Sequence, residues 1–104
     1  MSTITASDPL EIQSAEIKKA ALVFRAVNHK LRQQILQLIH RKEKIKVTDI
    51  YVRLRMEQSV VSQHLGILRR ANLVDTERDG KMIFYTINYS KVDQLNHIAA
   101  DLLK

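Results

Sequence analysis

The sequence predicts a mainly α-helical domain of about five helices with one small β-hairpin near its C-terminal end, and three observations carry that prediction. Apolar residues recur at spacings of three and four along most of the chain, the period of a helix with one buried face. That period breaks between 74 and 87, where two strand-like segments flank Asp79-Gly80, a dipeptide suited to a two-residue hairpin turn. The 104 residues include two Gly and one Pro, too few for a linker or a second domain.

Residues 1–8 are polar and aperiodic and read as a frayed lead-in. Asp8-Pro9-Leu10-Glu11 then opens the first helix: Asp8 caps free amides, Pro9 suits the first helical position and Glu11 completes a capping box. This helix is expected to run to Val27. Its apolar residues, Ile17, Ala20, Ala21, Leu22, Phe24 and Val27, form a wider face than a lone surface helix requires, so part of it should meet another chain. Asn28 is the expected cap of a second helix carrying Leu31, Ile35, Leu38 and Ile39. Arg41, Lys42, Glu43, Lys44 and Lys46 read as a solvated connector. Thr48, followed by Asp49, starts a short helix with Ile50 and Leu54.

A tight turn at Arg55-Met56 leads into a helix from Gln58 to Ala71 or Asn72. Successive residues advance by about 100° around a helix, so Val61, Leu65 and Leu68 share one stripe while Ser59, Ser62, Gln63 and Arg70 lie roughly opposite it. Such a helix is anchored on one side and offers the other. Val74–Arg78 and Lys81–Ile87 are the expected strands of a hairpin with a basic tip. Ser90 with Asp93 marks a capping box, and Val92, Leu95, Ile98, Ala99, Leu102 and Leu103 continue at helical spacing to the C-terminus.

Seventeen Lys and Arg stand against eleven Asp and Glu, a net charge of +6 that suits a polyanionic partner. The chain has no cysteine, which excludes disulfides, thiolate metal sites and thiol redox chemistry. Its longest aliphatic and aromatic run, Ala20 to Phe24, is too short to span a bilayer, and the N-terminus lacks the basic and apolar regions of a secretory signal. A cytoplasmic location with no membrane partner is expected. There is no phosphate loop, cysteine nucleophile or paired-carboxylate constellation, so an enzyme is not expected.

Two helices, a short helix, a turn, a polar-faced helix and a basic hairpin, in that order, describe a helix-turn-helix over 48–72 followed by a wing over 73–88. The major groove admits a helix, where Ser and Gln side chains address base edges, while a basic ribbon reaches phosphates or the minor groove. The candidate base readers are therefore Gln58, Ser59, Ser62 and Gln63. Arg70, Arg78 and Lys81 are candidate phosphate contacts, with Arg53, Arg55 and Arg69 as further ones.

These residues resemble the ArsR/SmtB-type winged-helix repressors of prokaryotes over nearly the whole chain. The resemblance rests on Asn28-His29-Lys30-Leu31-Arg32 leading to Ile35-Leu36, on Gln58-Ser59-Val60-Val61-Ser62-Gln63-His64-Leu65, on Leu68-Arg69-Arg70-Ala71-Asn72-Leu73-Val74, and on Arg78-Asp79-Gly80-Lys81 with Tyr85. It implies a homodimer joined through the first and last helices (9–27 and 91–104), bound to an inverted-repeat operator on double-stranded DNA and released by a signal. The apolar residues expected at that interface are Ile17, Ala21, Phe24, Leu95, Ile98, Ala99, Leu102 and Leu103. Three positions depart from the family pattern. Lys30 stands where relatives often have Pro, Arg55 where the turn often has Gly, and Gly66 where a longer residue is usual; Arg55 is expected in a left-handed conformation.

Many relatives sense metals, but this sequence points to a non-metal-sensing, cofactor-free member. The stretch matching the family's cysteine site is Lys46-Val47-Thr48-Asp49-Ile50, and the positions matching its final-helix site fall near Asn88 or Tyr89, Lys91, Asp101 and Lys104. Asp93, His97 and Asp101 form a row opposite the last helix's apolar stripe and should face water. His29 is expected to make local hydrogen bonds at a helix start, His40 to lie on the surface, His64 to be packed and hydrogen-bonded, and Met56 and Met82 to fill the core. The competing readings are a winged-helix protein-interaction or non-specific DNA-binding module and, less favoured, a metal-responsive repressor. The sequence names no inducing ligand.

Overall fold

The computed structural model describes residues 13–104. Their order is α1 (Ser14–Val27), α2 (Lys30–Lys42), β1 (Lys44–Lys46), α3 (Val47–Leu54), α4 (Gln58–Arg70), β2 (Val74–Asp79), β3 (Met82–Ile87) and α5 (Tyr89–Leu102). The expected Asp8 cap, Pro9 start and frayed lead-in lie outside the described residues. The core draws Ile35, Leu38 and Ile39 from α2, Ile45 from β1, Ile50 from α3, and Val61, Leu65 and Leu68 from α4, with Leu73 and Val74 beside them. Each fully buried aliphatic side chain contributes about 1.5–3 kcal/mol. By contrast, α1 supplies only Ala26 to this buried set and α5 only Leu95.

The sheet has three strands, ordered β1-β3-β2, all antiparallel. The region expected as a solvated connector is thus partly a strand: α2 continues to Lys42, Glu43 turns the chain at φ 69°, and Lys44–Lys46 pairs with Phe84–Thr86. Ile45 points into the core while Lys44 stays outside, its ammonium 5.0 Å from the Phe84 ring centroid and 4.0 Å from Glu77. A three-residue strand shows a single apolar position, and its flanking lysines hide the alternation that marks a strand.

The hairpin register pairs Asp79 with Met82, so the two-residue turn is Gly80-Lys81, one position beyond the expected Asp79-Gly80. Gly80 has φ +64° and occupies the first central position, where a type II′ turn needs glycine. Met82 next to this turn is 49% exposed because no second layer covers the tip, which corrects its expected core role; Met56 does pack against the core.

The helix starts also differ from expectation. Asn28 ends α1, its N–H donating to the Phe24 carbonyl, and the cap of α2 is His29, whose Nδ1 accepts from the Leu31 amide at 3.2 Å. Helix α3 begins at Val47 without a side-chain cap, one residue ahead of Thr48. Helix α5 is capped by Asn88, not Ser90: Asn88 Oδ1 accepts from the Lys91 amide at 3.2 Å, and its side-chain amide donates to the Asn72 carbonyl at 2.9 Å. That second bond ties the start of α5 to the end of α4. Arg55 takes the left-handed conformation expected of it, φ 55° and ψ 50°, and closes α3 with bonds from the Arg55 and Met56 amides to Val52 and Tyr51.

Gly66 lies inside α4, and an added Cβ would meet only the Arg70 guanidinium at 3.5 Å, an ordinary contact with a flexible group. Gly66→Ala should therefore stabilise the protein by about 1 kcal/mol. The check is a higher urea midpoint at unchanged m-value.

Candidate nucleic-acid interface

Helices α3 and α4, joined at Arg55-Met56-Glu57, form the helix-turn-helix. On α4, Val61, Leu65 and Leu68 are each 1% exposed or less, which sets the helix's rotation about its own axis. The same rotation turns Gln58, Ser59, Ser62 and Gln63 outward, all four exposed as expected. Among the described residues, none of these side chains makes an intramolecular hydrogen bond. Their donors and acceptors are open to a ligand.

All six candidate phosphate contacts, Arg53, Arg55, Arg69, Arg70, Arg78 and Lys81, are exposed. The three ion pairs among the described residues use Lys44, His97 and Lys104, so none of the six is neutralised by a nearby carboxylate. Arg53 and Arg55 close α3, Arg69 and Arg70 end α4, and Arg78 and Lys81 flank the tip of the wing formed by β2 and β3.

The residues assigned to a subunit contact divide. Ile17, Ile98, Leu102 and Leu103 are exposed, the last two at 74% and 88%, while Ala21, Phe24 and Ala99 are half-buried. Leu95, at 7% exposure, packs into this chain's own core and leaves little surface outside. Helices α1 and α5 border an open groove of about 250 Å³ that includes Ala20, Val23, Phe24 and Ile98. Residues 13–20 are all exposed, and the radius of gyration is 16.9 Å. A compact chain of this length has about 13 Å.

Comparison with known proteins places this geometry. The family model described as "Bacterial regulatory protein, arsR family" matches residues 29–76, from the cap of α2 into β2. The transcriptional activator HlyU of Vibrio cholerae is 35% identical over 81% of this chain and 79% of its own length. The transcriptional repressor PagR of Bacillus anthracis is 30% identical over 80% of this chain and 83% of its own. The crystal structure of PagR superposes with a TM-score of 0.68 at 28% identity, covering 84% of this chain and 99% of that one. NolR from Sinorhizobium fredii gives 0.68 at 29% identity over 96% and 95%.

The chain belongs to the ArsR family. It is a winged helix-turn-helix DNA-binding regulator, and of the relatives just named HlyU is a transcriptional activator and PagR a transcriptional repressor. In this ArsR-family chain two carboxylates of α5 pair locally on its exposed side. Asp93 lies 3.4 Å from His97, and Asp101 lies 3.5 Å from Lys104. Among the described residues, no three His, Cys, Asp or Glu side chains cluster as metal ligands, and no helix is long and apolar enough to cross a membrane.

Behind α4, His64 is packed and hydrogen-bonded as the sequence suggested: its Nδ1 lies 3.2 Å from an Arg32 guanidinium nitrogen, and its ring centroid lies 4.9 Å from that of His29. Sequence reasoning gave Arg32 no role, although it stands next to Leu31 and about one turn before Ile35 on α2. His40, at the surface, bonds to the Tyr89 hydroxyl at 2.6 Å. Desolvation first, then the positive charges of His29 and Arg32, hold the His64 pKa below the usual histidine range. Between the unfolded and folded pKa values the unfolded chain binds the extra proton, so stability falls as pH drops. The melting temperature should decline between about pH 7.5 and about pH 5.5, and His64→Asn should remove part of that decline.

Proposed function

We propose that the chain acts as a homodimeric, sequence-specific repressor occupying an inverted-repeat operator. Helix α4 enters the major groove, Gln58, Ser59, Ser62 and Gln63 read bases, and the wing tip contacts the flanking backbone. The observation that carries this reading is the two-sidedness of α4, its apolar stripe sealed in the core and its four short polar side chains exposed and unpartnered beside unpaired arginines. Arg53, Arg55, Arg69, Arg70, Arg78 and Lys81 supply the sequence-independent attraction to phosphate. PagR is named a repressor and HlyU an activator; repression by occupancy of the operator is the reading adopted here.

Dimerisation is supported by the exposed apolar residues of α1 and α5 and by the projecting first half of α1, which a lone subunit would leave wet. A twofold dimer places the two copies of α4 in successive major grooves, with half-site centres about 34–36 Å apart or a multiple of that. The reading needs no cofactor, metal or catalytic group, and DNA as partner supports a cytoplasmic location.

Two variant classes separate base reading from backbone holding. Replacing Ser62 or Gln63 by Ala should cost about 1–3 kcal/mol of discrimination at each base pair that the side chain reads. Binding-site selection reads this as a relaxed base preference, and unchanged selection refutes the assignment. Replacing Arg78 or Lys81 by Ala should weaken binding to all duplexes alike and lower the salt slope by about one per phosphate contact. For the dimer, sedimentation should give twice the chain mass, and Leu102→Asp with Ile17→Asp should return it to the monomer.

A further inference from the structure

Arg32, on α2, is the only side chain among the described residues whose hydrogen bonds join three helices. Its Nε donates to the Ala26 carbonyl at 2.6 Å, one terminal nitrogen to the Arg25 carbonyl at 3.0 Å, and the other to His64 Nδ1 at 3.2 Å. Arg25 and Ala26 belong to the last turn of α1, whose carbonyls lack helical partners and carry the negative end of the helix dipole. A guanidinium suits that end, and its planar fork lets it reach α4 at the same time.

We propose that Arg32 is a positioning residue for DNA reading: by holding the end of α1 and His64 of α4 in one hydrogen-bonded unit, it fixes the angle between the dimer helix and the reading helix. This rests on the assignment of α4 to base reading in a twofold dimer. The apolar stripe of α4 sets its rotation, but dispersion and hydrophobic contacts are non-directional and leave the tilt soft. In a dimer joined through α1 and α5, that tilt sets how far apart the two reading helices lie. The clamp therefore acts on specific recognition, while attraction to phosphate is largely indifferent to it.

The clamp has a chemical condition. Guanidinium has no acceptor, so the Arg32–His64 bond requires an unprotonated Nδ1 on His64. A second proton on that ring abolishes the bond and sets two cations side by side. The groups whose charge acts on His64 are His29, the cap of α2, and Arg32, in its first turn; α1 offers the cluster the Arg25 and Ala26 carbonyls, and among the described residues α3 and β2, which also pack on α4, add no charge that acts on it. No carboxylate is there to compensate. Specific binding should consequently weaken on acidification, in the direction of the lowered His64 pKa.

The test compares the full chain bound to a duplex recovered by in vitro selection with the chain bound to a random duplex of equal length, at constant ionic strength. Between about pH 7.5 and about pH 5.5 the selected duplex should lose about tenfold in affinity, while the random duplex does not weaken. His64→Asn puts an amide oxygen near the place of Nδ1 and does not titrate. It should match wild type at about pH 7.5 and lose less than about threefold on acidification. Arg32→Met keeps length without donors; it should bind the selected duplex about tenfold more weakly at about pH 7.5, bind random DNA as wild type does, and accept a wider range of half-site spacings in selection. Should Arg32→Met fail to fold by circular dichroism, the wild-type and His64→Asn profiles decide alone. Parallel profiles for those two, or wild-type discrimination equal at both pH values, overturn the clamp and leave base reading intact. Equal wild-type affinity for both duplexes at about pH 7.5 sinks base reading, and the clamp with it.

Discussion

The seating of Val61, Leu65 and Leu68 against Ile35, Ile39 and Ile50 is the contact on which the rest of the molecule depends. Three aliphatic side chains removed from water contribute several kcal/mol together. Rotating α4 by even one residue position would expose them and bury serine or glutamine without partners, at a cost of about 1–3 kcal/mol for each unsatisfied group. The outward presentation of Ser59, Ser62 and Gln63 is thus a consequence of packing. The polar residues need no contact of their own to hold them there.

The same core explains why the terminal helices look unfinished. A chain of this size encloses one small core, and α2, α3, α4 and the sheet already fill most of it, so that α1 and α5 bury only Ala26 and Leu95 fully. Val23, Phe24, Val27 and Val92 pack against that core only partly buried, and Ile17, Leu22, Ile98, Leu102 and Leu103 stay exposed. Association through these helices would complete the burial and fix two reading helices in one frame. Fold stability and two-site reading would then be linked, since whatever shifts α1 against α4 alters both. Arg32 stands at that junction, bonded to the end of one helix and to a histidine of the other.

Much of this was legible in the sequence, and the failures share a cause. Long periodic segments announced themselves: the divided face of α4 and the terminal helices came from spacing, and the hairpin from the break in that period around Asp79-Gly80. Features set by one residue did not. Strand β1 exposes one isoleucine between lysines, so its pairing with β3 is visible only once the sheet exists. The hairpin turn moved by one position because register across two strands, not the Asp-Gly dipeptide, selects its central residues. Asn88 displaced Ser90 as a cap because its amide also reaches Asn72, a partner remote in sequence. Met82 lies outside its expected core setting, since strand period assigns a face but not what lies beyond it. The polar face of α4 and the basic positions around it were read correctly as exposed; the Arg32 bonds, spanning three helices, have no local signature.

The claim that matters most is that the exposed side of α4, presented twice, meets base edges. A photo-crosslinking residue placed at Ser62, with a control at His97 on the exposed side of α5, tests it directly on a selected duplex. The account predicts adducts from position 62 to bases in two major-groove segments related by twofold symmetry, about one helical turn apart, and none from position 97. Adducts from 97 and not from 62, or from 62 to a single unrepeated segment, would contradict it.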